Sequence, residues 1–286
     1  AGLLKGSAPL YRKLGLRPVL NSATEIEEWA AFSKAAREKL PAAIHIDSGM
    51  NRLGLSADEV NSLARAKTLL SAFELTLLMS HLACADEPDH PKNETQRKTF
   101  DALRAKLPRA PASLANSAGI LLGRTYHYDL VRPGIALYGG KASRTGANRF
   151  APVVELAGRI LQVREVPAGE TVGYGATRAL KHASRIATVA VGYADGFFRS
   201  LSVADGKQGL QVYLGGHPAA LLGRVSMDLI TVDVTDVPRE HARRGAWVEL
   251  IGKQIPAHHL AAHAGTIDYE VLTNLGIRAK RRYTGG

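Results

Sequence analysis

Two hydrophobic periods divide this chain. Over the first half, short apolar runs alternate with segments whose apolar residues recur at helical spacing. The stretch 17–21 reads as a strand, and Ser22 followed by Glu25 forms the capping-box pattern that opens a helix through Trp29 and Phe32. The unit then repeats. Residues 44–47 are strand-like, Ser56 with Glu59 caps the next helix, and Val60, Leu63 and Leu70 follow the helical period. A strand is predicted over 74–83, then a helix with Phe100, Leu103 and Leu107 on one face, and further strand-like segments at 112–117 and 134–139.

Alternating β and α units of this length imply parallel strands joined by helical crossovers, in an open doubly wound sheet or a (β/α) barrel. Polar residues fall where such strands end, Arg52, His81 and Asn116 with Ser117, and Arg132 falls near the start of the last. Ligands bind at that end of parallel α/β folds. The stretch 139–148, rich in Gly, Ser, Ala and Lys, has the composition of a linker. Beyond it the period becomes two: Ile230, Val232 and Val234 alternate with Thr231, Asp233 and Thr235, and 186–193, 210–214 and 247–251 are further strand candidates. A helical segment is expected over 257–276, interrupted near Gly265. The chain is thus read as α/β followed by β, with domains over 1–145 and 146–286.

The length of 286 residues suits two domains, and 45% hydrophobic with 22% charged residues is ordinary for a globular protein. No apolar run approaches a membrane span and no leader pattern opens the sequence, so a cytoplasmic protein without membrane contact is expected. The single cysteine, Cys84, excludes an internal disulfide and a multi-cysteine zinc site. The charge of +11, from 37 Lys+Arg against 26 Asp+Glu, changes the picture little. Its basic residues are scattered apart from Arg278, Lys280, Arg281 and Arg282, without interleaved aromatics, so a solvated tail and no nucleic-acid partner are expected. His259 and His263 have the spacing of a helical metal pair, but no glutamate stands between them and no third ligand is evident; Asp86, Asp89 and His90 read as a polar loop. No metal site is expected.

The segments HIDSGMNRLG (45–54), ANSAG (115–119), VRPGIALYG (131–139), VGYGAT (172–177), VGYADGFFR (191–199), GRVSMD (223–228) and IDYEVLTNLG (267–276) occur in an order that resembles the alanine racemase family. The resemblance implies a TIM-type (β/α)8 barrel, here without its N-terminal part, followed by a mainly antiparallel β domain. It also implies pyridoxal 5'-phosphate as cofactor, alanine as substrate and a head-to-tail homodimer whose active sites combine one subunit's barrel with the other's β domain.

Racemisation takes the α-proton from one face of an amino acid and returns a proton to the other, so two bases must flank it. The resemblance gives Tyr174 as one base, with His81 and Arg132 as a hydrogen-bonded relay behind it. The resemblance also implies that Arg132 faces the pyridine nitrogen, where an always-charged guanidinium disfavours protonation and weakens the ring as an electron sink. Arg52 resembles the residue that contacts the phenolic oxygen of the cofactor and helps hold the substrate carboxylate, a task that suits a bidentate donor. Asn116, Ser117, Gly134 and Ile135 match the phosphate-binding positions. Met227 and Asp228 match partner-subunit residues that meet the substrate, and Asp86, Tyr193, Arg199 and Arg224 match residues lining the access corridor.

Three departures from the family pattern stand out. His45 stands where many members carry a carbamylated lysine that braces the substrate arginine, and Ile277 replaces a tyrosine that narrows the pocket. The motif carrying the cofactor lysine is also missing: Lys5, Lys13, Lys34, Lys39 and Lys67 follow no short apolar strand of the expected kind, and the chain opens near the approach to the fourth barrel strand. Racemisation of alanine for cell-wall precursors is the function implied. A serine or broad-specificity racemase, and a truncated non-catalytic remnant that binds cofactor or dimerises, remain the alternatives.

Overall fold

Parallel strands come first and antiparallel strands follow in the computed structural model, which describes residues 2–285. Two units result, one of Ala1–Gly134 with Ala142–Ala147, the other of Ile135–Lys141 with Asn148–Gly286.

In the first unit, helix α1 (Ala8–Lys13) leads into strand β1 (Val19–Leu20), helix α2 (Ala23–Ala36) and strand β2 (Pro41–His45). Helices α3 (Ala57–Arg65) and α4 (Lys67–Leu70) precede β3 (Glu74–Met79), and α5 (Lys92–Arg104) precedes β4 (Ala112–Ser113) and the short α6 (Ser117–Leu121). The strands pair in parallel in the order β1-β2-β3-β4. Ile26 and Trp29 of α2, Ile44 of β2, Leu78 of β3 and Phe100 of α5 are all buried in this unit. Helix α3 starts where its cap places it. Ser56 Oγ accepts the Glu59 N–H while the Glu59 carboxylate accepts the Ser56 N–H, a complete capping box.

The cap at α2 differs from the expected box. Ser22 Oγ accepts the Glu25 N–H at 3.2 Å, but the Glu25 carboxylate reaches one residue further back and accepts the Asn21 N–H at 2.8 Å. Asn21 is thereby fixed at the end of β1, where it is used in the site. The strand expected over 134–139 is a second correction. Residues Ile135–Tyr138 form a 3-10 turn, because Gly139 N–H and Gly140 N–H bond locally to the Ala136 and Ile135 carbonyls and no neighbouring strand is offered. Gly139 adopts φ +74°, and a Cβ there would overlap the Ala151 backbone.

The second unit is a closed barrel of six antiparallel strands: β5 (Leu156–Val166), β6 (Ser184–Val189), β7 (Gln211–Leu214), β8 (His217–Leu222), β9 (Ile230–Asp233) and β10 (Trp247–Ile251). Its order β10-β5-β6-β9-β8-β7 closes through a β10–β7 pairing, which leaves no unpaired edge. Ala187, Val189, Val212, Leu214, Val232, Val248 and Leu250 belong to its core. Ile186, on the opposite face of β6 from Ala187, joins Val172, Leu180 and Leu222 in a smaller cluster. Two strands lay hidden in the sequence. β5 carries a register shift between Ile160 and Gln162 that breaks its alternation, and β8 is HPAALL, poor in branched and aromatic residues. The strand expected over 186–193 stops at Val189, because Gly192 opens a 3-10 turn over Tyr193–Asp195 whose Asp195 carboxylate accepts the Gly192 N–H. Helices α7 (Ala257–Ala264) and α8 (Asp268–Asn274) are separated at Gly265, φ +73°. Among the described residues no helix is long and apolar enough to cross a membrane.

Candidate active site

The first unit gathers its polar residues at the C-terminal ends of its strands. Arg132, whose N–H bonds to the Ala115 carbonyl at 2.9 Å, turns its guanidinium under them. It donates to Ser113 Oγ, to the Ser80 carbonyl at 2.6 Å and to the Leu114 carbonyl at 3.4 Å. All three acceptors are neutral, so its charge faces no carboxylate among the described ion pairs. Burial lowers its pKa to about 10, which leaves it protonated at neutral pH.

Two histidines flank this cation. Asn21 donates its amide to the Val19 carbonyl and the Glu25 carboxylate, so its oxygen is left to accept from His45 Nδ1 at 2.9 Å. Asn116 Oδ1 accepts the Gly119 N–H, and the Asn116 amide lies 3.4 Å from His81 Nε2. Neutral His45 therefore carries its proton on Nδ1 and neutral His81 on its Nδ1 also. Burial first, then the Arg132 charge, lowers both pKa values from 6.5 to about 4, with Arg52 adding a smaller push in the same direction. His81 and Arg132 share no hydrogen bond; Arg132 instead holds the carbonyl of Ser80, the residue before His81. The relay expected of His81 and Arg132 has no direct hydrogen bond among the described residues.

Arg52 lies at the tip of a turn built by Asp47, whose carboxylate accepts the N–H groups of Gly49, Met50 and Asn51. Asn51 adopts φ 58°, and Gly54 at φ +108° passes so close to Asp47 that a Cβ would press on its backbone. Arg52 is exposed at that tip. Ser117 is buried and its Oγ accepts the Gly134 N–H at 2.8 Å. A Cβ on Gly134 would meet nothing nearer than Ser117 Oγ at 4.0 Å. Asp86 sits in the loop before α5, where its carbonyl accepts the Arg144 N–H. Ile135 is buried against Gly140 within the second unit.

Several residues of this site escaped the reading of the sequence. Gln96 is fully buried on α5, donates to the His81 carbonyl at 2.9 Å and accepts the Ala83 N–H at 2.8 Å. Ser48 and Ser80 pair at 2.7 Å beneath them. The signal for Gln96 was available: it precedes Phe100 and Leu103 at helical spacing on the apolar face of α5.

In the second unit Tyr174 occupies a 3-10 turn between Gly173, φ 77°, and Gly175, φ 74°, and is 72% exposed. The Arg224 guanidinium lies against this turn, 3.1 Å from the position of a Cβ on Gly175. Tyr193 N–H and Ala194 N–H bond at 3.0 Å to the Ser226 and Met227 carbonyls, tying the YAD turn to the SMD loop. Asp228 pairs with Arg278 at 2.7 Å, and Arg278 also reaches Asp195 at 3.3 Å. Arg278 of the basic run is therefore an organised part of this loop cluster rather than free tail. Arg199 heads the neighbouring 3-10 turn Arg199–Leu201, and Ile277 is 95% exposed. His263 Nδ1 is bonded to the His259 carbonyl, and among the described residues no three His, Cys, Asp or Glu side chains come together to hold a metal.

Parallel strands with a partly buried arginine at their ends, followed by an antiparallel barrel with an exposed tyrosine turn, define the class, and sequence comparison gives the family. Residues 2–142 match the family model described as "Alanine racemase, N-terminal domain", and residues 153–283 match "Alanine racemase, C-terminal domain". The chain belongs to the alanine racemase family. It is 50% identical to an alanine racemase of Rhodospirillum rubrum over 270 residues, which cover 94% of this chain and 71% of that one. It is 46% identical to the biosynthetic alanine racemase of Agrobacterium fabrum, over 99% of this chain and 74% of the relative. The crystal structure of the Bartonella henselae alanine racemase, which has covalently bound pyridoxal phosphate, matches with TM-score 0.91 and 38% identity over 99% of this chain and 77% of that one.

Proposed function

We propose that this protein interconverts L- and D-alanine with pyridoxal phosphate as cofactor, supplying D-alanine for cell-wall precursors in the cytoplasm. The observation that carries the reading is Arg132, a partly buried guanidinium that has only neutral acceptors and whose charge helps keep two histidines unprotonated. Such a group is suited to face a ring nitrogen, since a fixed positive charge there opposes protonation.

The residues present fit the cofactor. Gly134 is required by neither a positive φ nor a close neighbour, and its open side adjoins the Ser117 hydroxyl. A bound phosphate would use that space, with Asn116, Ser117, Gly134 and Ile135 as its holders. When bound, the cofactor withdraws electrons from the substrate α-carbon and makes its proton acidic.

The work of this chain is to bind and to move a proton. Tyr174 takes or returns the α-proton at its phenolic oxygen, and its exposed turn leaves that oxygen accessible. Arg52 holds the substrate carboxylate, which also meets the Met227 N–H, and Asp228 lies beside the substrate. Arg224, Tyr193, Arg199 and Asp86 line the corridor, and its two arginines draw in the carboxylate. Tyr174, Met227 and Asp228 act on the barrel of a second subunit in a head-to-tail homodimer. The second base is assigned to none of the lysines within residues 1–286, because none stands in the expected motif.

The test is deuterium wash-out from each alanine enantiomer separately, in the active protein and in Tyr174→Phe. The substitution is expected to abolish exchange from L-alanine by at least about a thousandfold while leaving measurable exchange from D-alanine. Equal loss from both enantiomers, or from neither, removes Tyr174 from this role.

A further inference from the structure

At one end of the antiparallel barrel, between β5 and the turn 237–245, lies a cleft of about 710 Å³. Four arginines line it, Arg185, Arg239, Arg243 and Arg244, together with Glu165 and the apolar side chains of Leu161 and Val163. None of these residues takes part in the racemisation proposed above.

Arg185 is the informative member. It is 9% exposed and stands opposite Glu165 in the β5–β6 ladder, yet no ion pair joins the two. Its guanidinium donates instead to the Val237 carbonyl at 2.9 Å and the Ala242 carbonyl at 3.5 Å. Those bonds leave N–H groups to spare and leave the charge uncompensated, a costly state for a buried cation. Arg243 spends only its Nε, on the Glu240 carbonyl, and Arg244 has no hydrogen bond or ion pair among the described residues. Arg239 pairs with Glu165 at 3.1 Å, but both side chains are largely exposed, so the pair is weak and easily exchanged.

The backbone beneath these groups is fixed. Gly245 N–H bonds to the Ile160 carbonyl at 2.8 Å, Ile160 N–H to the Ala246 carbonyl at 3.0 Å, and Ala242 N–H to the Pro238 carbonyl at 3.1 Å. The turn that carries Arg239, Arg243 and Arg244 is thereby held to β5 before any ligand arrives, which lowers the ordering cost of binding. Every cation in the lining is arginine, whose planar fork matches oxyanions bidentately. Four positive charges against the one of Glu165 leave an excess of three. A monovalent anion would leave most of that excess in place, whereas a diphosphate group carries a matching charge. The volume is that of a small-molecule site, and Leu161 and Val163 offer an apolar surface to the body of such a molecule.

We propose that this cleft binds a small molecule through a diphosphate group. The source is either free pyrophosphate or a nucleoside diphosphate, and calorimetry separates them. The cofactor-loaded enzyme is titrated with inorganic pyrophosphate, ADP and sulfate at constant ionic strength. Saturable binding with Kd below about 1 mM is expected for pyrophosphate or ADP, at least about tenfold tighter than sulfate. A tighter ADP assigns a role to the apolar surface, and equal affinities assign recognition to the diphosphate alone. Arg243→Gln combined with Arg244→Gln is expected to weaken binding by at least about tenfold with an unchanged melting temperature. Glu165→Gln, which keeps every arginine, is expected to bind about threefold tighter. No saturable heat up to about 10 mM of either ligand overturns the proposal. So does affinity unaltered in the double variant, weaker binding by Glu165→Gln, or a sulfate affinity equal to that of pyrophosphate.

Discussion

The two histidines beside Arg132 make the first unit sensitive to acid. His45 and His81 are held neutral in the folded protein at about pKa 4, against an ordinary value of 6.5. Between those values the unfolded chain binds protons that the folded chain refuses, so stability falls as pH falls through the window from about 6.5 to 4. At roughly 1.4 kcal/mol per pH unit the full drop corresponds to about 3 kcal/mol for one isolated histidine. His81 keeps some solvent contact and the two rings influence one another, so about 2–4 kcal/mol is expected for the pair. Glu94 and Glu59, whose pKa values are lowered from 4.5, begin to lose their contribution only at the acid edge of this window and lose the rest below it. Urea unfolding at pH 7.5, 6.5, 5.5 and 4.5, followed by the fluorescence of the buried Trp29 of the same unit, measures the loss. Proton NMR of the imidazole Cε1–H signals reads each pKa directly. Arg132→Gln is expected to raise both values but not to restore 6.5, because burial is the larger cause. Either ring titrating near 6.5 in the native protein, or stability constant from pH 7.5 to 4.5, refutes the reasoning.

Three further outcomes are expected. Gly192→Ala forces a Cβ onto the Ser226 and Met227 carbonyls; it is expected to lower stability by about 1–3 kcal/mol and alanine turnover by at least about tenfold, measured by calorimetry and racemase assay. Ser56→Ala removes half of the α3 capping box and is expected to cost about 1 kcal/mol in urea unfolding with turnover unchanged. Sedimentation of the active protein at micromolar concentration is expected to give a dimer, since the residues proposed to meet the substrate from the second unit act on a partner's barrel. A fully active monomer would count against that arrangement.

Much of the architecture was legible because local chemistry and tertiary packing agree where both are strong. Ser56 with Glu59 announces α3, the Ser22 cap announces α2, and the apolar face of Phe100 and Leu103 announces α5. Trp247–Ile251 appears as expected, and the change from helical to alternating period near residue 145 separates parallel from antiparallel strands. Tyr174, Arg52 and Arg132 could be named only because they sit in ordered motifs, since an isolated Gly-Tyr-Gly or Arg-Pro carries no chemistry by itself.

What only the tertiary structure decided rests on pairings between residues far apart in the chain. The 134–139 stretch has the composition of a strand, but no edge receives it, so it bonds to itself as a 3-10 turn. β8 lacks β-forming residues and becomes a strand because β7 and β9 supply ladders on both sides. Gln96 enters the site because α5 packs it against the His81 carbonyl, 15 residues away in sequence. The depressed pKa values of His45 and His81 likewise arise from burial around Arg132, a long-range arrangement that side-chain type alone does not encode. Periodicity and caps report on neighbours along the chain, and burial and charge are properties of neighbours in space.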